Sequence, residues 1–275
     1  MPHDALLARV VGKHGLVSLI TDNVDRAVIE AGTDLRVIGH VGVGYNNIDV
    51  AAARDRGIVV TNTPDILTDA TADFTMALML AVTRRLGEGE RMVREGRWKG
   101  WALDQLLGMQ LGQKQLGIVG FGRIGRAVAA RAGVFGMTIV HASRKGGGMP
   151  LDRLLATSDV VSLHVPLTPE TRHLIGQPEL ARMKRTAYLV NTTRGPVVDE
   201  GALAWALKNR IIAGAALDVY EREPEVHPDL LSLDNVVLAP HLGSATTETR
   251  TAMADLAARN VIAVLSSQPP LTPVP

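Results

Sequence analysis

The chain has 275 residues, 46% of them hydrophobic, which is enough to bury the core of one large or two smaller domains. Its 29 basic and 28 acidic side chains nearly cancel, which gives no electrostatic reason to expect a nucleic acid or an anionic membrane as a partner. The sequence contains no cysteine, which excludes disulfides, zinc–thiolate sites and cysteine nucleophiles.

The N-terminal segment has no basic stretch followed by an apolar stretch, so no signal peptide is expected. The longest apolar run, Phe74 to Val82, is about half of what spans a bilayer. No group of His, Asp and Glu residues has the spacing of metal ligands. The sequence therefore predicts a cytoplasmic protein without a metal site.

Short apolar runs typical of strands alternate with amphipathic segments along the whole chain. Strands that are apolar throughout and separated by helices indicate a parallel sheet that is covered on both faces. The fold class predicted is a doubly wound α/β protein. The predicted strands are LVSLI, LRVIGHV, GIVVTN, KQLGIVG, MTIVHAS, VVSLHVP, AYLVNTT, IAGAALDVY and NVVLAP.

The alternation divides into two parts near Leu67, where a helical pattern over residues 69–98 follows the third predicted strand. The last helical pattern has no strand after it, so it is expected to return to the first part. These patterns predict one domain from residues 1–67 and 247–275, and a second from residues 68–246.

A glycine motif marks the second domain as a nucleotide-binding unit. Gly120, Gly122 and Gly125 form G-x-G-x-x-G directly after a predicted strand and open an amphipathic helix. In this context the first glycine permits a tight turn, the second lets a pyrophosphate approach the backbone, and the third lets helix and strand pack closely. The second domain is therefore predicted to bind a dinucleotide.

The residues after the next strand indicate which dinucleotide. A carboxylate that binds the ribose hydroxyls is expected about 20 residues after the glycine motif, but Ser143, Arg144 and Lys145 stand there instead. A hydroxyl and two cations suit a 2′-phosphate, which predicts a preference for NADP(H), with NAD(H) as the alternative cofactor. The alternative interpretation of Arg144 and Lys145 is a solvated turn.

Three polar stretches follow strands in the second half of this domain, and they contain Arg194, Glu223 and His241. Ligands gather beyond the carboxyl ends of parallel strands, so these residues can converge. Arginine can bind a carboxylate, histidine can transfer a proton near neutral pH, and a glutamate beside it stabilises the imidazolium. This set suits the reduction of a 2-oxo acid. The structural alternatives are a loop arginine, a turn glutamate and a capping histidine.

The other histidines are expected to have structural roles. Two of them lie within predicted strands and are expected in the core or behind a site, namely His40 and His164. The remainder are expected at the surface or in loops, namely His3, His14, His141, His173 and His227.

Longer motifs make the sequence resemble the D-isomer-specific 2-hydroxyacid dehydrogenases, in particular the glyoxylate/hydroxypyruvate reductase branch. The resemblance covers nearly the whole chain. The motifs that carry it are HVGVGYNNIDVAAARDRGIVVTNTPDILTDATADFTMALMLA, VREGRWKGW, LGIVGFGRIGRAVA, SDVVSLHVPLTPETRHLI, NTTRGPVVDE, LDVYEREP and PHLGSAT. It implies a Rossmann cofactor domain and a smaller flavodoxin-like substrate domain, and a homodimeric enzyme that reduces glyoxylate or hydroxypyruvate.

The resemblance also implies roles for individual residues. Arg194, Glu223 and His241 are the expected catalytic residues, with His241 as the proton donor. The expected substrate-binding residues are Val43, Gly44, Arg194, His241 and Trp101, the last from an arm that crosses a dimer interface. The expected cofactor-binding residues are Gly120, Phe121, Gly122, Arg123, Ile124, Gly125, Ser143, Arg144, Lys145, Thr192, Thr193, Asp218 and Gly243.

The sequence departs from the family pattern in two places. The family's opening strand–helix unit is absent before residue 4, so an exposed sheet edge is expected in the substrate domain. The segment after Lys145 is short and contains Gly146 to Gly148, so the outer strand on the adenosine side of the second sheet is expected to be missing or rudimentary.

Two other functions remain open from the sequence. One is a non-catalytic nucleotide-binding protein, since the family includes corepressors. The other is a phosphoglycerate-dehydrogenase-like enzyme, although the chain lacks the ribose-binding acid that such enzymes prefer. Formate dehydrogenases carry glutamine where Glu223 stands, which argues against that activity.

Overall fold

The computed structural model describes residues 1–143 and 147–275, which form two compact units. Unit 1 consists of Met1–Leu67 and Ser244–Pro275, and unit 2 is Thr68–Gly243. The second boundary lies before Ser244 rather than after Thr246, because the residues that lead into the last helix, including its N-cap Thr246, belong to the same unit as that helix.

Unit 1 is an α/β layer structure with a parallel sheet in the order β1-β2-β3. Helices from the first part of the chain pack on one face of the sheet, and the last helix contacts β1 and β2. Asp25 and Asp49 cap α2 and α3 by accepting backbone N–H groups at 3.1 and 2.9 Å. The elements are α1 (His3–Val10), β1 (Gly15–Leu19), α2 (Arg26–Ala31), β2 (Val37–Val41), α3 (Val50–Asp55) and β3 (Val59–Thr61), with the last helix at Thr247–Leu265.

The two edges of this sheet differ. At β3, Thr61 forms an antiparallel bridge with Pro273 of the proline-rich tail. Buried Asn260 holds that tail, because its side-chain oxygen accepts the N–H groups of Leu271 and Thr272 at 2.9 and 3.0 Å. Among the described residues β1 pairs only with β2, and about half of the Leu19 side chain is exposed at that edge.

Unit 2 contains a parallel sheet in the order β5-β4-β6-β7-β8-β9, with helices between successive strands. Strand order reverses between β4 and β6, which is where doubly wound sheets bind ligands. β5 is the edge strand on one side of the described sheet. The elements are α4 (Thr68–Thr83), α5 (Leu86–Arg94), β4 (Gln115–Val119), α6 (Arg123–Val134), β5 (Thr138–Ala142), α7 (Leu151–Thr157), β6 (Val160–Leu163), α8 (Gln177–Arg182), β7 (Tyr188–Asn191), α9 (Glu200–Lys208), β8 (Gly214–Leu217), α10 (Pro228–Leu231) and β9 (Val236–Leu238), and the last helix of the chain is α11.

The helical pattern over residues 69–98 is not one helix, as the sequence suggested, but two. Arg85 adopts a left-handed conformation with φ +51°, which ends α4 and redirects the chain into α5. The returning chain stabilises this break, because the N–H of Met109 donates to the carbonyl of Thr83 at 2.8 Å. Neither α4 nor any other helix within residues 1–143 and 147–275 is long and apolar enough to cross a membrane.

Candidate active site

The glycine motif forms a tight turn between β4 and α6. Gly120 has φ +95°, and a Cβ there would lie 2.5 Å from the carbonyl oxygen of His164. A Cβ on Gly125 would lie 2.3 Å from the carbonyl oxygen of Gly120. Both positions therefore require glycine, as the nucleotide-binding interpretation expects.

The turn leaves an open position for a ligand. A Cβ on Gly122 would meet no protein atom within 4 Å, and Gly122 is followed directly by the first residues of α6, Arg123 and Ile124. The ring of Phe121 stacks on His141 with centroids 4.1 Å apart. The helix N-terminus and the open glycine backbone fit the pyrophosphate of a dinucleotide.

Of the three residues that the sequence assigned to the adenosine side, the structure describes Ser143. This residue directly follows β5 and is partly buried. Arg144 and Lys145 lie outside the described residues. His141, which was expected at the surface or in a loop, lies in the edge strand β5, where it is partly exposed and pairs with Ile118 of β4. The predicted strand MTIVHAS includes this position.

Arg194 follows β7 in an extended conformation. Asn191 at the strand end holds this loop, since its side-chain amide donates to the Arg194 carbonyl at 3.0 Å. The Arg194 guanidinium donates from Nη1 to the Thr193 carbonyl at 2.8 Å. Burial lowers the pKa of Arg194, and the charge of Glu223 opposes that effect. A guanidinium stays charged under such conditions, so this loop presents a partly desolvated cation.

Glu223 and His241 form a hydrogen-bonded pair. The carboxylate Oε2 lies 2.8 Å from Nδ1 of His241, while Oε1 accepts the N–H of Tyr220 at 3.1 Å. Burial raises the pKa of Glu223, but the hydrogen bond and charge of His241, the N–H of Tyr220 and the charge of Arg194 together bring it below its ordinary value. An ionised Glu223 fixes the proton of the neutral ring on Nδ1 and leaves Nε2 for a substrate.

Asp218 positions the segment that contains His241. It directly follows β8, is 1% exposed, and accepts the N–H groups of Leu242 and Gly243 at 2.6 and 2.8 Å. The backbone N–H of His241 donates to the Asp218 carbonyl at 2.9 Å, which holds His241 in a left-handed conformation with φ +55°. Burial raises the pKa of Asp218, and the two backbone N–H groups oppose this.

The two threonines before Arg194 connect its loop to neighbouring elements. The hydroxyl of Thr192 lies 2.9 Å from the hydroxyl of Thr75 on α4. Thr193 donates its hydroxyl proton to the carbonyl of Val165, which follows β6. Hydrogen bonds to α4 and to the segment after β6 therefore hold the loop that contains Arg194 in place.

In unit 1 the predicted carboxylate-binding residues Val43 and Gly44 lie in the loop after β2. The side-chain amide of Asn62 donates to the Val43 carbonyl at 2.8 Å. His40 is fully buried, as expected, with Nε2 3.1 Å from the Gly44 carbonyl and Nδ1 3.0 Å from the Ser18 hydroxyl. The buried His40 ring thus stabilises the conformation of the loop that contains Gly44.

Trp101 lies on the segment after α5. Its side chain is 82% exposed. Three further apolar side chains on this segment are exposed, namely Trp98, Leu103 and Leu107. The segment therefore presents an apolar surface, which we call the tryptophan arm and define as residues 98–107.

Comparison with known proteins identifies the family. Residues 76–243 match the family model described as D-isomer specific 2-hydroxyacid dehydrogenase, NAD binding domain. A curated protein of Thermococcus litoralis named glyoxylate reductase is 50% identical over 283 aligned positions, which cover 98% of this chain and 86% of that protein. The chain belongs to the D-isomer specific 2-hydroxyacid dehydrogenase family.

Solved structures of similar proteins agree with this family. A protein from Thermus thermophilus superposes with a TM-score of 0.95 and 47% identity, covering 100% of this chain and 90% of that one. An NADPH-dependent glyoxylate/hydroxypyruvate reductase from Sinorhizobium meliloti, crystallised with NADP and malonate, gives a TM-score of 0.88 and 38% identity over 97% of this chain and 85% of that one. The likeness confirms the two-domain α/β fold and a nicotinamide cofactor for this member of the family.

The structure also shows supporting residues that sequence reasoning did not identify. Asn191 and Tyr220 hold the loops of Arg194 and Glu223, and the Tyr220 hydroxyl donates to the Ala239 carbonyl at 2.9 Å near His241. The carboxylates of Glu200 and Glu221 each accept the backbone N–H of the other residue, next to the loop that contains Glu223. Their signal in the sequence is weak, because Glu200 resembles an ordinary residue of a helix start.

His164, whose carbonyl lies beside Gly120 of the glycine turn, should make the free energy of unfolding depend on pH. Its Nε2 lies 2.8 Å from the Ser162 hydroxyl, and burial lowers its pKa from 6.5 to about 4. Between these values the unfolded chain binds a proton that the folded chain does not, so the free energy of unfolding falls as the pH drops, by up to about 3 kcal/mol. We expect His164→Gln to remove this slope in urea denaturation between pH 7 and pH 4. The control His14→Gln, at an exposed loop position, should keep it, and an unchanged slope in His164→Gln contradicts the assignment.

Proposed function

We propose that this protein reduces a small 2-oxo acid, glyoxylate or hydroxypyruvate, to the D-2-hydroxy acid with NADPH. The observation that carries the proposal is the Glu223–His241 pair, 2.8 Å between Oε2 and Nδ1, at the carboxyl ends of the unit 2 strands, where the partly buried Arg194 and the glycine turn also lie. The relative from Thermococcus litoralis is named glyoxylate reductase, which supports this substrate class.

Each member of this set has a distinct role in the proposal. Arg194 binds the substrate carboxylate and orients the neighbouring carbonyl. His241 donates a proton from Nε2 to the carbonyl oxygen as that oxygen becomes negative. Glu223 accepts the hydrogen bond of Nδ1–H and stabilises the imidazolium before the proton leaves.

The glycine turn and the strand ends of unit 2 would hold the cofactor. When bound, the nicotinamide supplies the hydride that adds to the carbonyl carbon. The pyrophosphate would be bound by the glycine turn, that is by Gly120, Gly122 and Gly125 with the backbone of Phe121 to Ile124. The nicotinamide side would be lined by Thr192, Thr193, Asp218 and Gly243. Asp218 already accepts two backbone N–H groups, and its remaining lone pairs can accept a carboxamide N–H.

The preference for NADPH rests on Ser143, Arg144 and Lys145. A hydroxyl and two cations bind a 2′-phosphate, whereas the carboxylate typical of NAD enzymes repels it. The Sinorhizobium meliloti reductase is described as NADPH-dependent and was crystallised with NADP, which supports the same preference here.

We further propose a homodimer in which the tryptophan arm contacts the partner subunit. Large exposed apolar surfaces mark interaction sites, and four large apolar side chains of this arm are exposed, Trp101 to 82%. The arm would place Trp101 against the partner's substrate. Elution of the wild-type chain as a monomer in size-exclusion chromatography overturns this proposal.

The function is tested by following the oxidation of NADPH and of NADH with glyoxylate, hydroxypyruvate and pyruvate. We expect turnover with glyoxylate or hydroxypyruvate and a higher kcat/KM for NADPH. His241→Asn, which keeps the hydrogen bond from the Nδ1 position but has no Nε2 proton, should lower kcat by about 10²- to 10⁴-fold. A preference for NADH contradicts the assignment of Ser143 to Lys145 alone, while absence of turnover with both cofactors contradicts the proposed reaction.

A further inference from the structure

The loop of residues 221–227, which contains Glu223, is held at both ends by one buried side chain. Glu200, the first residue of α9, is only 6% exposed. One of its carboxylate oxygens accepts the N–H of Glu221, and the other accepts the N–H of His227 at 3.2 Å. The carboxylate of Glu200 therefore spans the ends of the loop.

Glu221 returns the interaction. Its Oε1 accepts the N–H of Glu200 at 3.0 Å, so each glutamate binds the backbone amide of the other. Its Oε2 lies 2.9 Å from Nε2 of His173 and 3.8 Å from Arg172. The backbone N–H of His173 in turn donates to the Pro196 carbonyl at 2.7 Å, close to Arg194 in the sequence. These bonds connect the loops of Arg194 and Glu223.

Burying the Glu200 carboxylate is costly unless hydrogen bonds replace its hydration. Asp199 already accepts the N–H of Ala202 at 2.9 Å and caps α9, so the helix does not need a second carboxylate for its cap. The two N–H groups that Glu200 accepts both belong to the loop of Glu223. The effect of this buried charge is therefore on the loop rather than on the helix.

Glu223 must lie within hydrogen-bonding distance of His241 to stabilise its imidazolium, so the conformation of this loop matters for the reaction. The Glu223–His241 hydrogen bond is 2.8 Å long, and the charged groups that face this pair are Arg194 and Asp218. We propose that Glu200 is a positioning residue that holds the 221–227 loop so that Glu223 meets Nδ1 of His241. This inference rests on the proposed function of Glu223 and His241.

The test compares Glu200→Ala and Glu200→Gln with Asp199→Ala. Asp199→Ala removes the cap of the same helix but no bond to the loop, so it controls for lost stability. We expect Glu200→Ala to lower kcat by on the order of 10- to 100-fold, since a misplacement of about 1 Å can cost that much. As the pH is raised, kcat of this variant should begin to fall at a lower pH than kcat of the wild type, because a displaced Glu223 stabilises the imidazolium less.

Glu200→Gln keeps one accepting oxygen and should recover part of kcat and part of the pH shift. The KM for NADPH should stay unchanged in these three variants, because the glycine turn lies outside the network. If Glu200→Ala has the pH profile and kcat of Asp199→Ala, the proposal is overturned.

A second readout does not need turnover. Hydrogen exchange of the amides of Glu221 and His227 should accelerate in Glu200→Ala and not in Asp199→Ala. The NMR signal of His241 Nδ1, which reports its hydrogen bond to Glu223, should change in the same variant only. If the wild-type chain reduces no 2-oxo acid, the proposed function fails, while these two measurements still decide whether Glu200 holds Glu223 against His241. Unchanged exchange and an unchanged His241 Nδ1 signal overturn the inference.

Discussion

Replacing Arg194 by alanine is expected to lower kcat/KM for the 2-oxo acid by roughly 30- to 5,000-fold, which corresponds to about 2–5 kcal/mol for the loss of one partner of a buried charge pair. Arg194→Lys keeps the charge but loses the planar pair of donors, so it should recover only part of this loss, mainly as a raised KM for the acid. The KM for NADPH should change little, because the guanidinium donates to the Thr193 carbonyl within its own loop.

Arg194→Ala should also shift the pH dependence of kcat in a defined direction. The charge of Arg194 contributes to the lowered pKa of Glu223. Without it the pKa of Glu223 rises, so the carboxylate becomes protonated at a higher pH as the solution is acidified, and the acid limb of the kcat profile should move toward neutral pH.

The measurement is a kcat and kcat/KM profile from pH 4.5 to 9 for wild type, Arg194→Ala, Arg194→Lys and the control Arg182→Ala. Arg182 lies on the exposed end of α8 with a 3.4 Å contact to Glu179, and its removal should leave both parameters at the wild-type level. Wild-type kcat/KM in Arg194→Ala rules out the proposed role in carboxylate binding.

Much of the fold could be predicted because its strands are local patterns. The runs that became β4, β6, β7 and β8 are mostly apolar, and the structure buries every residue of β6 and β8 between two helical layers. The break between α4 and α5 could not be predicted. Its cause is the long-range bond from Met109 to Thr83 and the left-handed Arg85, and neither leaves a mark in the local periodicity.

The candidate site shows the same division. The glycines, Arg194, Glu223 and His241 stand in motifs at strand ends, so their convergence follows from the parallel sheet. Asn191 and Tyr220 bond to loop residues three positions further along the chain, and Glu200 accepts backbone N–H groups 21 and 27 residues away, so these hydrogen bonds depend on how the loops fold at the strand ends. A residue type alone does not reveal such a bond, since each of these could equally have been a surface or core residue.

Gly195 gives the other large effect, because two backbones touch there. A Cβ at this position would lie 1.8 Å from the carbonyl carbon of Tyr220 and 2.4 Å from the nitrogen of Glu221. These are backbone atoms of the loop that leads to Glu223, so no rotation of a side chain can relieve the contact. Gly195→Ala must therefore push the loop of Arg194 away from the loop of Glu223.

We expect Gly195→Ala to lower the free energy of unfolding by about 1–3 kcal/mol or more, as overpacked sites do, and to lower kcat beyond any loss of folded protein. The matched control is Gly133→Ala on α6, where a Cβ meets no atom within 4 Å and alanine is the better helix former by up to about 1 kcal/mol. Urea denaturation separates the two effects, since activity can be normalised to the folded fraction.

The two outcomes for Gly195→Ala carry different meanings. A folded variant with low kcat shows that the spacing of the Arg194 and Glu223 loops matters for the reaction and not only for stability. A variant with the wild-type denaturation midpoint and wild-type kcat shows that the two loops can separate without effect, and it would also remove the physical basis for restraining the 221–227 loop through Glu200. The close approach at Gly195 and the bonds of Glu200 thus act on the same loop from two sides, one by contact and one by hydrogen bonding.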